Sequence, residues 1–265
     1  MNKINQVYEQ RPKNLYKIII NIIIILLVLY PTITDLSSEI NEKGFSVVNQ
    51  IIKGFYNPNW EFMFGLGEKD LPYLFLETLG IAFLGTFIGA IIALPLSFLA
   101  AKNIVNKYVT YIFNFILIVI RTIPIFVWAV VFVKMIGQTA FTGVMTLAVT
   151  SIGMLAKLYV ESIEEIDKKL LDSGESLGLT KIEKFKYIIW EQLKANFLST
   201  AIYRFDINVK NASILGIVGA GGIGTALEFS RQANNWQNVA TIILCLIIIV
   251  LIIDYISTKI RKKLI

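Results

Sequence analysis

The sequence predicts an all-α, polytopic membrane protein of six transmembrane helices with both termini in the cytoplasm. Three observations carry that prediction. Apolar runs long enough to cross a bilayer, about 20 residues, recur along the chain. With 55% apolar residues and a mean hydropathy of +0.66, the 265 residues are far oilier than a soluble domain of that length. The basic residues gather in alternate connections: Lys13 and Lys17, Lys102 and Lys107, the lysines of 168–186, and the cluster Lys259, Arg261, Lys262 and Lys263. Such a bias marks the cytoplasmic side.

Taken in order, a polar tail of residues 1–17 precedes an Ile/Leu/Val-rich run over 18–34. That run is long for a signal-peptide core, and no small-residue cleavage site follows Pro31, so it reads as a retained first span. Residues 35–70 carry an acidic excess that suits the outer side. There Phe45, Val48, Ile51, Ile52 and Phe55 recur at helical spacing, as in an interfacial amphipathic helix. Phe55, Tyr56, Trp60, Phe62 and Phe64 read as an aromatic belt. The second span, about 71–101, holds Gly85 and Gly89, a G-x-x-x-G face that admits a close neighbour, and Pro95, which predicts a kink.

The third span, 108–136, is interrupted at Arg121-Thr122-Ile123-Pro124. Pro124 removes a backbone donor, and a broken helix at membrane depth must face protein or water. The fourth span, about 141–160, runs into the charged stretch 161–169. The fifth, from about Leu193 to Val218, is only moderately apolar and contains Arg204, Asp206, Asn208, Lys210 and Asn211. Asp206 and Lys210, one helical turn apart, can pair. A glycine run at 219–224 and a short segment through Arg231 lead to the last span, about 237–257.

Composition removes whole classes of function. The chain has no histidine and one cysteine, Cys245, inside an apolar run. Metal sites of Cys and His, Cys–His nucleophiles and disulfides are therefore excluded. The net charge of +6 sits beside apolar runs, which fits cytoplasmic loops and predicts no nucleic-acid partner. Gly219-x-Gly221-x-x-Gly224 matches a dinucleotide fingerprint by letter, but it follows a membrane helix and not a strand, so it reads as a turn. No G-x-x-x-x-G-K-[ST] occurs, so no phosphate-binding loop for ATP is expected in this chain.

One polar stretch organises the second half of the chain, residues 172–191. Gly178 can end a helix in the left-handed conformation. Thr180 and Glu183 form an S/T-x-x-E capping box that starts the next helix. That helix mixes Lys181, Lys184 and Lys186 with Ile182, Phe185, Ile188, Ile189 and Trp190. The stretch resembles the EAA loop of bacterial ABC importer permeases. Asp172-Ser173-Gly174 stands where Glu-Ala-Ala would, Gly178 and Ile188 match the Gly and Ile, and Trp190-Glu191 replaces Leu-Pro. Glu77-Thr78-Leu79, Gly85-Thr86, Leu94-Pro95-Leu96, Arg121-x-x-Pro124, Tyr203-Arg204-Phe205-Asp206 and Leu215-Gly216 through Gly224 extend the resemblance over about 75–260, to the phosphonate-type importers.

The resemblance implies a MetI-like permease core of five spans at 71–265 with a cytoplasmic coupling loop at 166–191, behind an N-terminal region at 1–70. It implies a multi-pass protein of the bacterial cytoplasmic membrane, working with an ABC ATPase dimer that binds the ATP, an extracytoplasmic substrate-binding protein and a second permease subunit. No cofactor is expected in this chain. Asp172, Ser173, Gly174, Gly178 and Ile188 would dock the ATPase. Glu77, Arg121, Pro124, Arg204, Asp206 and Lys210 would lie on the translocation pathway, and Gly219, Gly221, Gly222 and Gly224 would turn at the outer gate. Arg121, Arg204, Lys157 and Lys210 outnumber Glu77 and Asp206, so the path is expected to be electropositive and to favour a small anion: phosphonate first, with phosphate, phosphite or another small anion as the alternative. A stand-alone secondary transporter would need internal repeats that build the site within one chain, and none is visible.

Overall fold

A computed structural model of the chain describes residues 19–27, 30, 42–67, 69–167, 169 and 176–264. Among these residues the regular structure is entirely helical. The chain divides into two units, residues 1–50 and 51–265. The first contains exposed helix over 19–27; the remainder of the first predicted span, apart from Tyr30, lies outside the described residues. Every site residue belongs to the second unit.

Helix α1 (Glu42–Tyr56) is the predicted amphipathic segment, and α2 (Trp60–Phe64) carries the aromatic belt, with Trp60 stacked on Phe64 at 5.9 Å. Asn59 caps α2, its side chain accepting from Phe62 N at 3.2 Å. Then come α3 (Leu71–Ala100), α4 (Lys107–Thr122), α5 (Ile125–Ile136), α6 (Ala140–Glu164), α7 (Lys181–Lys184), a π turn (Phe185–Ile189), α8 (Trp190–Leu215), a 3₁₀ turn (Gly216–Val218), α9 (Ile223–Gln232) and α10 (Trp236–Leu264). Among the described residues four stretches are long and apolar enough to cross a membrane: α3, α6, residues 182–232 and α10. The bent pair α4/α5 makes a fifth if taken as one span. Pro95 lies inside α3, which continues to Ala100.

The parallel pair α3 and α6 is the centre of the fold. Gly85 and Gly89 make it possible: a Cβ on Gly85 would sit 2.5 Å from that of Leu147, and one on Gly89 2.5 Å from that of Ser151. Small residues thus let two membrane helices touch through their backbones, as the G-x-x-x-G spacing predicts. At the far end of the pair, Asn103 Nδ2 donates to the Ile163 carbonyl at 2.7 Å. Around this pair pack α4, α5 and α8.

The predicted break at Pro124 is a bend of 86° between α4 and α5. Trp128 Nε1 reaches back across it to the Ile120 carbonyl at 3.4 Å. One boundary differs from expectation. The basic helix at 181–190 is not separate from the fifth span, because α7, the π turn and α8 run on without interruption. The π turn, Phe185–Ile189, lies where the basic helix runs into α8. It is pinned by aromatics: Phe185 meets Phe98 at 5.3 Å, and Phe98, Tyr159 and Trp190 all contact Phe197.

Candidate functional site

Three levels of the second unit hold the predicted residues. At one end, the chain leaves α8 through the 3₁₀ turn and doubles back into α9. The reversal needs φ of +85° at Gly219, +81° at Gly221 and +72° at Gly222, which glycine alone adopts without strain. These positions are also crowded. A Cβ on Gly219 would meet Gln138 Cγ at 2.6 Å, and one on Gly222 would meet Thr78 Oγ1 at 2.5 Å. At Gly224 it would run into the Ser213 carbonyl and the Gly216 backbone. Thr78 Oγ1 accepts from Ile223 N at 2.8 Å and fastens the turn to α3. Beside the turn lies a cavity of about 350 Å³ lined by Glu77, Gln138, Gly219, Gly221, Thr225 and Glu228.

Glu77 therefore faces the glycine turn. It lies about 14 Å along α3 from Thr86 and the level of the arginines, and does not serve as an acid beside them. The sequence places it on a span but cannot give its depth relative to a second helix.

At mid-depth, Arg204 is 7% exposed. Its guanidinium donates to Ser151 Oγ at 3.1 Å, Thr150 Oγ1 at 3.1 Å and Met154 Sδ at 3.0 Å, all on α6. Asn208, one turn further on α8, donates to Ser151 Oγ and Thr86 Oγ1, both at 2.8 Å. Among the described residues no carboxylate pairs with Arg204. Two hydroxyls and a thioether accept from it, and no ion pair among the described residues compensates its charge. Among the described residues neither Arg204 nor Arg121 forms an ion pair with an acid across helices. Thr150, Ser151 and Met154 were not singled out from the sequence; hydroxyls at Thr146, Thr150 and Ser151 in an otherwise apolar helix were the available signal.

Arg121 lies in the last turn of α4 at the bend, where its backbone N would lie 3.3 Å from a Cβ on Gly153. It is exposed. Both arginines thus reach the same level of α6, 150–154, one buried and one at the surface. Lys210 and Lys157 each have an acid partner. Lys210 Nζ lies 3.1 Å from Asp206 Oδ2 and Lys157 Nζ 3.0 Å from Glu161 Oε1, each one turn apart. The Asp206–Lys210 pair is the one its spacing predicts. Asp206 Oδ1 and Asn208 Oδ1 are buried and accept nothing among the described residues.

At the opposite end from the glycine turn, Gly178 has φ +71°, and a Cβ there would have open space, with no atom within 4 Å. Thr180 N donates to Glu183 Oε2 at 2.8 Å, and Glu183 N to Thr180 Oγ1 at 3.3 Å, which is the capping box. Leu177, Ile182 and Tyr187 are strongly exposed around this corner, and Ile188 is half-buried on the π turn. Asp172, Ser173 and Gly174 lie outside the described residues.

Residues 93–265 match the family described as binding-protein-dependent transport system inner membrane component. The chain is 30% identical over 188 residues to the phosphite transport system permease protein PtxC of Stutzerimonas stutzeri, covering 71% of this chain and 68% of that one. It is 32% identical over 190 residues to the phosphate-import permease protein PhnE of Mycolicibacterium smegmatis, covering 71% of this chain and 36% of that one. The inward-facing MetNI methionine ABC transporter superimposes with a TM-score of 0.62 at 20% identity, over 72% of this chain and 94% of that one, a likeness of fold.

Proposed function

The chain belongs to the inner membrane components of binding-protein-dependent transport systems, and from that premise we propose that it forms, with a second permease subunit, the membrane path for a small phosphorus oxyanion. The observation that carries this reading is the uncompensated guanidinium of Arg204, held by hydroxyls at the level where Arg121 is exposed. An arginine at membrane depth costs at least about 2.5–3.5 kcal/mol and is retained where it has work to do. Two cations to which no carboxylate is paired among the described residues, Asp206 being taken by Lys210, favour an anion, and the forked donor of arginine fits two oxygens of one phosphorus centre. The names of the relatives, phosphite and phosphate permeases, point to the same class; phosphonate, phosphite and phosphate are its members.

In this reading the corner at Gly178, with Ile188 and residues 172–174, receives an ABC ATPase dimer, which binds the ATP. The glycine turn faces an extracytoplasmic binding protein, and both termini are cytoplasmic. Arg204 supplies a field and weak contacts, since a transport site must release what it binds.

The test uses the permease reconstituted with its ATPase and binding protein. Arg204→Gln is expected to lower uptake of the phosphorus oxyanion about ten- to a hundredfold, the loss of a charge-assisted contact, with assembly and basal ATP hydrolysis retained. Loss of assembly would make Arg204 a structural tie, and unchanged uptake would remove it from the path.

A further inference from the structure

The segment from residue 51 to residue 66 is fastened to the rest of the fold at one level. Near the end of α1, Gly54 is pressed against α10: a Cβ there would sit 2.6 Å from that of Ala240. Just beyond, Gln237 Nε2 donates to the Asn57 carbonyl at 3.0 Å, Asn59 Nδ2 to Asn238 Oδ1 at 2.9 Å and Asn59 N to Thr241 Oγ1 at 2.9 Å. Phe62 and Met63 of α2 then pack in a cluster with Leu71 at the start of α3 and Ile223 at the start of α9. Ile223 follows the glycine turn, so this is the end of the molecule that carries that turn.

The same level is where two spans change character. The chain is polar at Asn234, Asn235, Gln237 and Asn238, and largely apolar along α10 from Val239 on. On α3 the change comes at Leu71, after Lys69 and Asp70. Residues 51–66 therefore lie level with the boundary between water and the apolar thickness that these helices span. The side chains left exposed there suit such a boundary. Gly54 faces α10, while Ile52 and Tyr56, two residues to either side of it and so about 200° round the helix, are exposed. Lys53 is exposed on one flank, and Ile51 and Phe55 are half-buried on the other.

In α2, Trp60 and Phe64 are exposed and stacked on each other. Phe64 also shares a cavity of about 210 Å³ with Leu71 and Phe75 of α3 and Ile248 of α10. Ile248 is itself exposed on a membrane-length helix, so the apolar surface of α2 is continuous with that of the spans. We propose that residues 51–66 form an interfacial cuff embedded in the lipid leaflet at the glycine-turn end. Ile52, Tyr56, Trp60 and Phe64 enter the boundary between headgroups and acyl chains, and Lys53 stays in water. Helices with one apolar and one polar side lie in that plane, and Trp and Tyr rings settle there because each has an apolar body and a polar tip. The inference depends neither on the anion carried nor on which side of the membrane this end occupies.

The experiment is a depth measurement by spin labelling of the full-length permease in phosphatidylcholine/phosphatidylglycerol vesicles. Cys245→Ser removes the one native thiol, and Ile52→Cys, Tyr56→Cys, Phe64→Cys or Lys53→Cys is added singly to carry the label. Labels at 52, 56 and 64 are expected to collide more with oxygen than with a water-soluble nickel chelate, at depths of about 5–10 Å into the boundary. The label at 53 is expected to favour the chelate. Labels at 52, 56 and 64 that favour the chelate would place the segment in water. Labels shielded from both reagents would place it under another protein. Either result would overturn the proposal. Should a cysteine variant fail to fold, brominated lipid decides. The tryptophan emission it quenches should fall on Trp60→Phe, and an undiminished quenched intensity would count against the cuff.

Discussion

The glycine turn at 219–224 and the corner at Gly178 use the same backbone device in opposite surroundings. Gly219, Gly221 and Gly222 have positive φ and are hemmed in by Gln138, Ala140, Glu77 and Thr78. Gly178 has the same sign of φ and open space around it. In the first, glycine is needed twice, for the left-handed turn and for the closeness of α3 and α6. In the second it is needed only for the turn, and the helix beyond offers Ile182 and Tyr187 outward. The glycine turn is thus a packed joint of the fold, while the Gly178 corner is an exposed surface, which the proposed function assigns to the ATPase.

The comparison breaks first, if it breaks, at Gly224. Gly224→Ala forces a methyl into the Ser213 carbonyl and the Gly216 backbone, and backbone cannot give way as a side-chain tip can. Overpacking of this kind costs about 1–3 kcal/mol, occasionally more, so a clear fall in thermal unfolding temperature in detergent is expected. A variant as stable as wild type would mean the turn is loose, and the contrast with Gly178 would go.

Gly178→Val sharpens the comparison from the other side. The strain of a β-branched residue at positive φ is about 1–3 kcal/mol, confined to an exposed corner. Membrane insertion and the folded core should survive, while transport-coupled ATP hydrolysis in the reconstituted complex should fall steeply. Normal coupled hydrolysis would make the corner an ordinary loop. The smallest effect is expected from Thr180→Ala, which removes one half of the capping box at about 0.5–2 kcal/mol. Hydrogen exchange at Ile182 and Glu183 should quicken while exchange in α6 stays unchanged.

Much of this architecture was legible in the residues. The spans at 71–101, 141–160 and 237–257, the break at Pro124, the Gly85/Gly89 face, the Asp206–Lys210 pair and the Thr180–Glu183 box all depend on neighbours within about two helical turns or on one helix's own surface. The continuity of α7 into α8 was not legible, because a π turn leaves no signature distinct from an ordinary helix in a sequence such as Phe185-Lys186-Tyr187-Ile188-Ile189. Nor was the crowding at Gly219 and Gly222, which depends on Gln138, in the connection before α6, and Thr78, on α3.

The charges show the same division. The sequence by itself determined that arginines would lie within the third and fifth spans, since the length of an apolar run and the position of a residue within it are properties of one segment. Only the tertiary structure decided that Arg204 would be met by Thr150, Ser151 and Met154 while Glu77 stood beside the glycine turn. The depth and facing of one helix against another follow from how their surfaces interlock, here through Gly85 and Gly89 against Leu147 and Ser151, and that register sets which side chains share a level in the membrane.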